Sequence, residues 1–459
     1  MAKVLLVQGN YDTEHSKDQN PWMPIALVEL ATFIKEKGNH EAKILDRNIY
    51  YDNNRLIQIL RKFSPDIVGM TCYTSPGIKD IMQVAKIVKE NSNALVIIGG
   101  THATLEPKSL LDFSYIDYVV KGEGEEALLE ICELIDKKKA DRKNILKIKN
   151  VNYNAIRPFI DLNSLPVPNY GLLEIKKYPI ATFYTSRGCP GRCRFCYNLG
   201  KRLRFYNTEK VIETITGILD KYKIREFTIA DDNFANLSQR TTKICKAIEK
   251  YNAIFHIFLR VDQVHDKVMR ELKRAGCWAI QFGFESGSQR ILDFMRKDTT
   301  MEQNINAVKQ CRKYKMFVDG SFMTGLPTET FQDMNQTVEF IKKYKPDSVD
   351  LKVFKPFPST ELFDYCIKNK LIKNPTNLVE WIDFCDLKTG EPNVSKIPTN
   401  LMLKTIKEVS KTSYNIYLKK TLLLLAGGHL DYTLYKLKRV LKQKLGLSYY
   451  SEKVELPKG

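Results

Sequence analysis

The chain has 459 residues, 43% of them apolar and 27% charged, with a net charge of +19. This is the balance of a soluble globular protein with room for two or three domains, and it excludes a fibrous or wholly disordered chain. The positive charge permits anionic partners, but lysines spread over helix-like segments read as a solvated surface and disfavour a nucleic-acid groove.

Met1-Ala2-Lys3 runs straight into Val4-Leu5-Leu6-Val7, which is too short for a signal core and reads as a first strand. The late apolar run from Leu422 to Gly428 is far below the ~20 residues of a membrane span. We therefore expect no transmembrane segment. The ten cysteines are scattered except for one trio, a usage that suits a reducing cytoplasm better than a disulfide framework.

Residues 1–140 alternate short apolar strands with helical patterns. Strands are expected at Lys3–Gln8, Ala42–Asp46, Asp66–Cys72, Ala94–Ile98 and Ile116–Val120, and helices at Pro24–Lys37 and Gly77–Glu90. Such alternation predicts a doubly wound parallel sheet, whose ligands sit outside the carboxyl ends of the strands. Thr71 to Ser75, the pair Gly99-Gly100, and Gly122-Glu123-Gly124-Glu125 fall at those ends. Residues 141–175 follow three lysines and are broken by Asn and Pro, so they read as a linker.

Residues 176–375 resume the alternation, with strands expected at Ile180–Ser186, Glu226–Ala230, Ile254–Leu259, Trp278–Phe284, Met316–Met323 and Ser348–Val353. Six β/α units predict a parallel barrel, complete or partial, with its chemistry at the strand C-termini. Polar residues cluster at those positions: Asp231-Asp232-Asn233, Arg260 and Asp262, Glu285-Ser286, and Gly325 to Thr330. Residues 376–459 read as a mainly helical, basic region.

The stretch that carries chemistry is Cys189-Pro190-Gly191-Arg192-Cys193-Arg194-Phe195-Cys196, a C-x3-C-x2-C spacing that opens just after the first barrel strand. Three thiolates hold three irons of a cubane cluster and leave the fourth iron open to a small molecule, whereas closed clusters use four. The alternatives are a partial zinc site or unrelated buried thiols. Zinc takes four ligands, and no second cysteine pair follows closely, nor any histidine before His256.

This motif, with its aromatic residue before the last cysteine, resembles the signature of the radical S-adenosylmethionine (radical SAM) enzymes. The resemblance continues through Ala230 to Phe234, Phe284 to Gly287, Met295-Arg296-Lys297, Gly325 to Thr330 and Pro356 to Leu362. The N-terminal part is similar to the cobalamin-binding domain that precedes the barrel in a large subgroup, on Pro24 to Lys37, Val96 to His102 and Asp117 to Glu125. The resemblance implies an N-terminal doubly wound sheet that binds cobalamin, a radical SAM (β/α)6 partial TIM barrel and a helical C-terminal region. It implies that Cys189, Cys193 and Cys196 hold a 4Fe-4S cluster whose open iron binds SAM. Phe195, Asp231, Asp232, Arg260, Glu285 and Ser286 become candidates for contact with SAM, and Thr71, Ser75, Gly99 and Gly100 for contact with cobalamin. No catalytic residue is assigned beyond the cluster ligands.

The expected function is that of a cobalamin-dependent radical SAM C-methyltransferase. A 5′-deoxyadenosyl radical activates an unreactive carbon, and methylcobalamin delivers the methyl group. The alternatives are a cyclase, oxidase or rearrangement enzyme with the same cofactors, an RNA methylthiotransferase, or a corrinoid sensor without activity. The methylthiotransferase reading suffers because residues 1–140 hold only Cys72 and Cys132, too few for a second cluster. The implied partners are a small-molecule, lipid or peptide substrate and an electron donor such as flavodoxin or ferredoxin. One feature departs from the subgroup: no Asp-x-His-x-x-Gly run follows the first strand. Asp12 and His15 have the wrong spacing, which leaves the lower face of cobalt without a ligand; His102 is the other histidine near the expected site.

Overall fold

The computed structural model describes residues 1–10, 22–178, 180–197, 202–234, 238–385 and 392–411. Asp12, His15 and the basic stretch 412–459 lie outside them. The chain forms two compact units.

The first unit is built on β1 (Lys3–Gln8), β2 (Glu41–Asp46), β3 (Ile67–Thr71), β4 (Leu95–Gly99) and β5 (Tyr118–Val119). All neighbours are parallel, in the order β2-β1-β3-β4-β5. Helices cover both faces, so a central strand such as β1 is buried along Val4 to Val7 rather than alternating. The order reverses between β1 and β3, which sets a crevice at their carboxyl ends. A helix at Asn53–Phe63, with Leu56, Leu60 and Phe63 on its buried side and Asp52 as its N-cap, fills the β2 to β3 connection.

The expected linker is part of this unit. Ile145, Ile148 and Val151 join its core, Val151 bridges Val120 in antiparallel fashion, and Arg157 pairs with Glu130 at 2.6 Å. The Tyr178 hydroxyl donates to Asp46 at 2.8 Å. Residues 141–175 carry little periodicity because their regular elements are single turns, such as Arg142–Ile145 and Tyr170–Leu172, and single side chains anchor the rest. The expected C-terminal region is likewise divided. The helix Leu378–Phe384 belongs to the first unit, where the wholly buried Trp381 meets the His102 ring edge-on at 5.6 Å. Residues 392–411 belong to the second, where Met402 packs against Gly325.

The second unit contains β6 (Ala181–Phe183), a short antiparallel pair β7 (Ser186–Arg187) and β8 (Arg204–Phe205), then β9 (Glu226–Ile229), β10 (Ile254–Leu259), β11 (Cys277–Glu285), β12 (Phe317–Thr324) and β13 (Ser348–Val353). Six strands form one parallel sheet, β13-β12-β11-β10-β9-β6. Among the described residues its two edge strands do not pair, so the barrel is partial. One face is a hydrocarbon layer in which Phe284 and Phe322 stack at 5.4 Å and meet Phe340 of the helix Phe331–Tyr344. The other face carries Phe258, Gln281, Asp319, Ser321 and Asp350, all half-buried. A polar, half-open face on a parallel sheet is the interior of a barrel left room for a ligand.

Candidate functional site

The cysteine loop lies between β7 and β8, at the carboxyl end of the barrel sheet. Backbone bonds pin it there: the Arg194 N–H donates to Met295 O at 2.9 Å, and the Leu362 N–H donates to Arg194 O at 3.0 Å. The Arg194 guanidinium also lies over the Phe294 ring, 4.9 Å from its centroid. Cys193 is buried, Cys189 half-buried and Cys196 exposed, and none of the three is in a disulfide. The Gly191 N–H donates to Cys189 Sγ at 3.4 Å. Burial pushes the Cys189 thiol up, while that N–H and Arg260 act against the shift.

These residues fit a polynuclear cluster. Gly191 lies beside two of the sulfurs: a Cβ there would touch Cys189 Sγ at 3.4 Å and Cys193 Sγ at 3.7 Å. Among the described residues no three His, Cys, Asp or Glu side chains converge tightly enough for one metal ion. Zinc takes four ligands, and a cluster left open at one iron takes the three thiols this loop offers.

Arg260, at the end of β10, reaches into this loop. Its Nε and Nη2 donate to the Asp262 carboxylate (2.8 Å from Nη2), Nη2 also donates to Lys297 O at 2.9 Å, and Nη1 donates to Cys193 Sγ at 3.9 Å. Its backbone N–H donates to Asn233 Oδ1 at 3.1 Å. Burial works against the Arg260 charge, and Asp262 more than restores it. Asn233 is fully buried, and its Nδ2 has no partner. An orphaned donor beside Arg260 is what a site built around a ligand leaves behind. Asp232 is exposed at its surface yet hemmed in by protein, which raises its carboxyl group, and its charge is felt at Cys189.

Glu285 sits at the end of β11 in a left-handed conformation, φ 62°, where the β11–β12 register slips. Its Oε1 accepts from Lys297 Nζ at 2.7 Å, and both residues are buried. Burial works against the Lys297 ammonium, and Glu285 outweighs it, so Lys297 holds its proton more tightly than a free lysine. Gly283 makes room: a Cβ there would lie 2.3 Å from Glu285 Oε1 and 2.9 Å from Lys297 Nζ. Lys297 escaped the sequence reading as a site residue, although it ends the family-like Met295-Arg296-Lys297. Nothing local shows that its ammonium turns back to Glu285.

Three sequence candidates make contacts within the scaffold. Asp231 is buried, and its carboxylate accepts from the backbone N–H and hydroxyl of both Thr185 and Ser186. It ties β9 to the start of the cysteine loop and has no lone pair turned to a ligand. The Ser286 hydroxyl bonds Thr337 at 3.2 Å and accepts the Ser288 N–H at 3.1 Å, inside the layer against the helix Phe331–Tyr344. Phe195 packs among Ile291, Leu292, Met295 and Leu326, the loop-packing role that an aromatic has by default, with Lys297 Nζ 5.9 Å from its ring centroid.

In the first unit the four cobalamin candidates do gather at the carboxyl ends of β3 and β4. Thr71 and Gly99 are paired in register. Gly100 has φ +93°, and a Cβ there would lie 2.6 Å from Thr71 Oγ1 and 2.9 Å from Cys72 O. Its missing side chain is demanded by the protein's own packing. Gly99 has only Val120 O within reach, at 3.8 Å, so Gly99 is the one that leaves an edge open. The Ser75 hydroxyl accepts the Gly77 N–H at 3.3 Å, in the turn before the next helix. His102 is wholly buried. Ser109 Oγ donates to Glu106 O at 2.8 Å, so it accepts from His102 Nε2 at 3.0 Å, and Thr74 Oγ1 donates to Nδ1 at 3.0 Å. Both ring nitrogens are used, and burial lowers the His102 pKa to about 4, so His102 has no nitrogen to offer a metal.

A family model of the Radical SAM superfamily matches residues 183–341, and one of the B12 binding domain matches residues 16–132. The uncharacterized methyltransferase PH0819 of Pyrococcus horikoshii is 35% identical over 370 residues, covering 76% of this chain and 79% of that one. The anaerobic magnesium-protoporphyrin IX monomethyl ester cyclase of Rubrivivax gelatinosus is 26% identical over 386 residues, covering 79% and 69%. Among solved structures, the radical S-adenosylmethionine methyltransferase TsrM of Kitasatospora setae, with cobalamin and a 4Fe-4S cluster bound, superposes with a TM-score of 0.68. That match covers 80% of this chain and 75% of TsrM at 17% identity, a likeness of fold.

Proposed function

The chain belongs to the radical SAM superfamily and carries a B12 binding domain ahead of its barrel, and from that premise we propose that it is a cobalamin-dependent C-methyltransferase. One observation carries the reading: three cysteines on one loop at the carboxyl end of a partial barrel, in a chain whose other unit is a doubly wound sheet matching the B12 binding model.

In this reading Cys189, Cys193 and Cys196 hold a 4Fe-4S cluster, with Gly191 beside two of the sulfurs. The bound cofactors supply the hard chemistry, a one-electron cleavage of SAM and a corrinoid-borne methyl group. The protein positions and excludes. Glu285 is locked by Lys297 at the strand end, with an oxygen left for a hydroxyl or ammonium of SAM. Asp232 is the remaining carboxylate beside Cys189. Thr71 and Gly99 border the corrin edge, and the half-open face of β10 to β13 receives a small-molecule substrate. The electron comes from a flavodoxin or ferredoxin. Ten cysteines without a disulfide suit a reducing cytoplasm, and among the described residues no helix is long and apolar enough to cross a membrane.

Anaerobic reconstitution tests the proposal. The holoenzyme should bind a corrinoid and yield both 5′-deoxyadenosine and S-adenosylhomocysteine, with a deuterated SAM methyl group appearing in the product. The cyclase relative favours a second reading, oxidative ring closure with the same cofactors. A product that gains no label and loses hydrogen would establish it in place of methyl transfer.

A further inference from the structure

We infer that Arg260 serves the cluster rather than SAM: its Nη1 donates to the Cys193 sulfur and makes the cluster easier to reduce. The inference rests on the reading of Cys193 as an iron ligand. A SAM carboxylate would need a guanidinium edge with free N–H groups. Arg260 has one N–H left, on Nη1, and no such edge: Nε and Nη2 donate to Asp262, Nη2 also to Lys297 O, and Nη1 toward Cys193 Sγ. Only 8% of the residue is exposed.

Two further features support the contact. Gly191 adjoins the guanidinium on the loop: a Cβ there would lie 3.0 Å from Arg260 Nη1 as well as against both sulfurs. The glycine thus allows the arginine to reach Cys193. Asp262, two residues along, fixes the guanidinium plane with a forked pair, which holds Nη1 in one direction.

Reduction adds one electron from a low-potential donor to the cluster and makes its sulfurs more electron-rich. N–H donation to a cluster sulfur and a nearby positive charge both stabilise that state and raise the potential. Replacing Arg260 with Gln removes the donor and leaves Asp262 unmatched, so both changes push the potential down.

The test is a potentiometric titration followed by electron paramagnetic resonance. It uses the reconstituted holoenzyme without SAM or substrate, in wild type, R260Q, R260K and G191A. The midpoint should fall most in R260Q and less in R260K. It should also fall in G191A, whose new methyl pushes Nη1 off the sulfur. SAM affinity should stay within about threefold of wild type, since a lost charged contact to its carboxylate costs tenfold or more. A wild-type midpoint in R260Q, or a normal midpoint with SAM binding lost, overturns the inference and leaves the proposed function standing. If R260Q takes up no iron, R260K and G191A decide on the same criterion. A wild-type protein that takes up no iron at three cysteines overturns both.

Discussion

Gly100 is required as a glycine, whereas Gly191 sits where a side chain would only crowd its neighbours. Gly191 borders two sulfurs and an arginine, none of which needs the others for folding. Gly100 clears a space that its own unit fills with Thr71 and Cys72. The two should therefore fail differently. G191A should fold with wild-type stability and disturb the iron site. G100A meets both a positive φ and backbone atoms within 3.0 Å, so it should cost roughly 2 kcal/mol or more of stability. Urea unfolding of the two variants side by side checks this. Asp231, Ser286 and His102 teach a related lesson. Each is a polar residue at a strand end, the position that marks a site, and each has its hydrogen-bonding capacity taken by its own chain.

At the scale of elements, the informative strand is β11. It slips register at Gly283, puts Glu285 at φ 62°, and so turns a carboxylate toward Lys297. A left-handed non-glycine residue in a bulge costs of order 1 kcal/mol or more and persists only where its surroundings hold it. Here the ion pair holds it. Removing one partner strands the other charge in the interior, so K297M and E285A should each lose about 3–5 kcal/mol. The double variant K297M/E285L should lose less than either single change. Denaturant midpoints of the three variants measure the coupling, and additive losses would count against the pair. The helix Met301–Lys313, by contrast, is locally encoded. Thr300 and Gln303 cap each other's backbone, and T300A should cost about 1 kcal/mol with no effect on the site.

At the scale of the molecule, the two units should respond to pH in opposite senses. His102 in the first is held neutral, its pKa lowered to about 4 by burial. Its stabilising effect is complete above the unfolded value near 6.5 and is lost as pH falls toward 4, about 3 kcal/mol over the window. Glu329 in the second is wholly buried. Its Oε2 accepts from the Gly325 and Leu326 N–H groups and Thr324, and its Oε1 has no partner. Burial raises its pKa to about 7. Its stabilising effect is complete below about 4.5 and is lost as pH rises to 7, again about 3 kcal/mol. E329Q should therefore stabilise the second unit at pH 8 and leave acid unfolding of the first unchanged. H102Q should flatten the acid slope of the first alone. Calorimetry across pH 4–8 separates the two if the units melt apart.

The sequence alone determined the elements and the cysteine site. Strand and helix periods are set by neighbours a few residues apart, and a C-x3-C-x2-C spacing holds three thiols within reach of one another whatever surrounds them. The tertiary structure decided which candidates around that site are free to act. Arg260 meets Cys193 across 67 residues of chain, Lys297 turns back to Glu285, Asp231 closes on Thr185 and Ser186, and Trp381 returns to His102. Residues 141–178 pack into the first unit for the same reason. These contacts arise where strand ends converge and every buried polar group must find a partner. That demand depends on what folding brings together, and no local pattern in the chain records it.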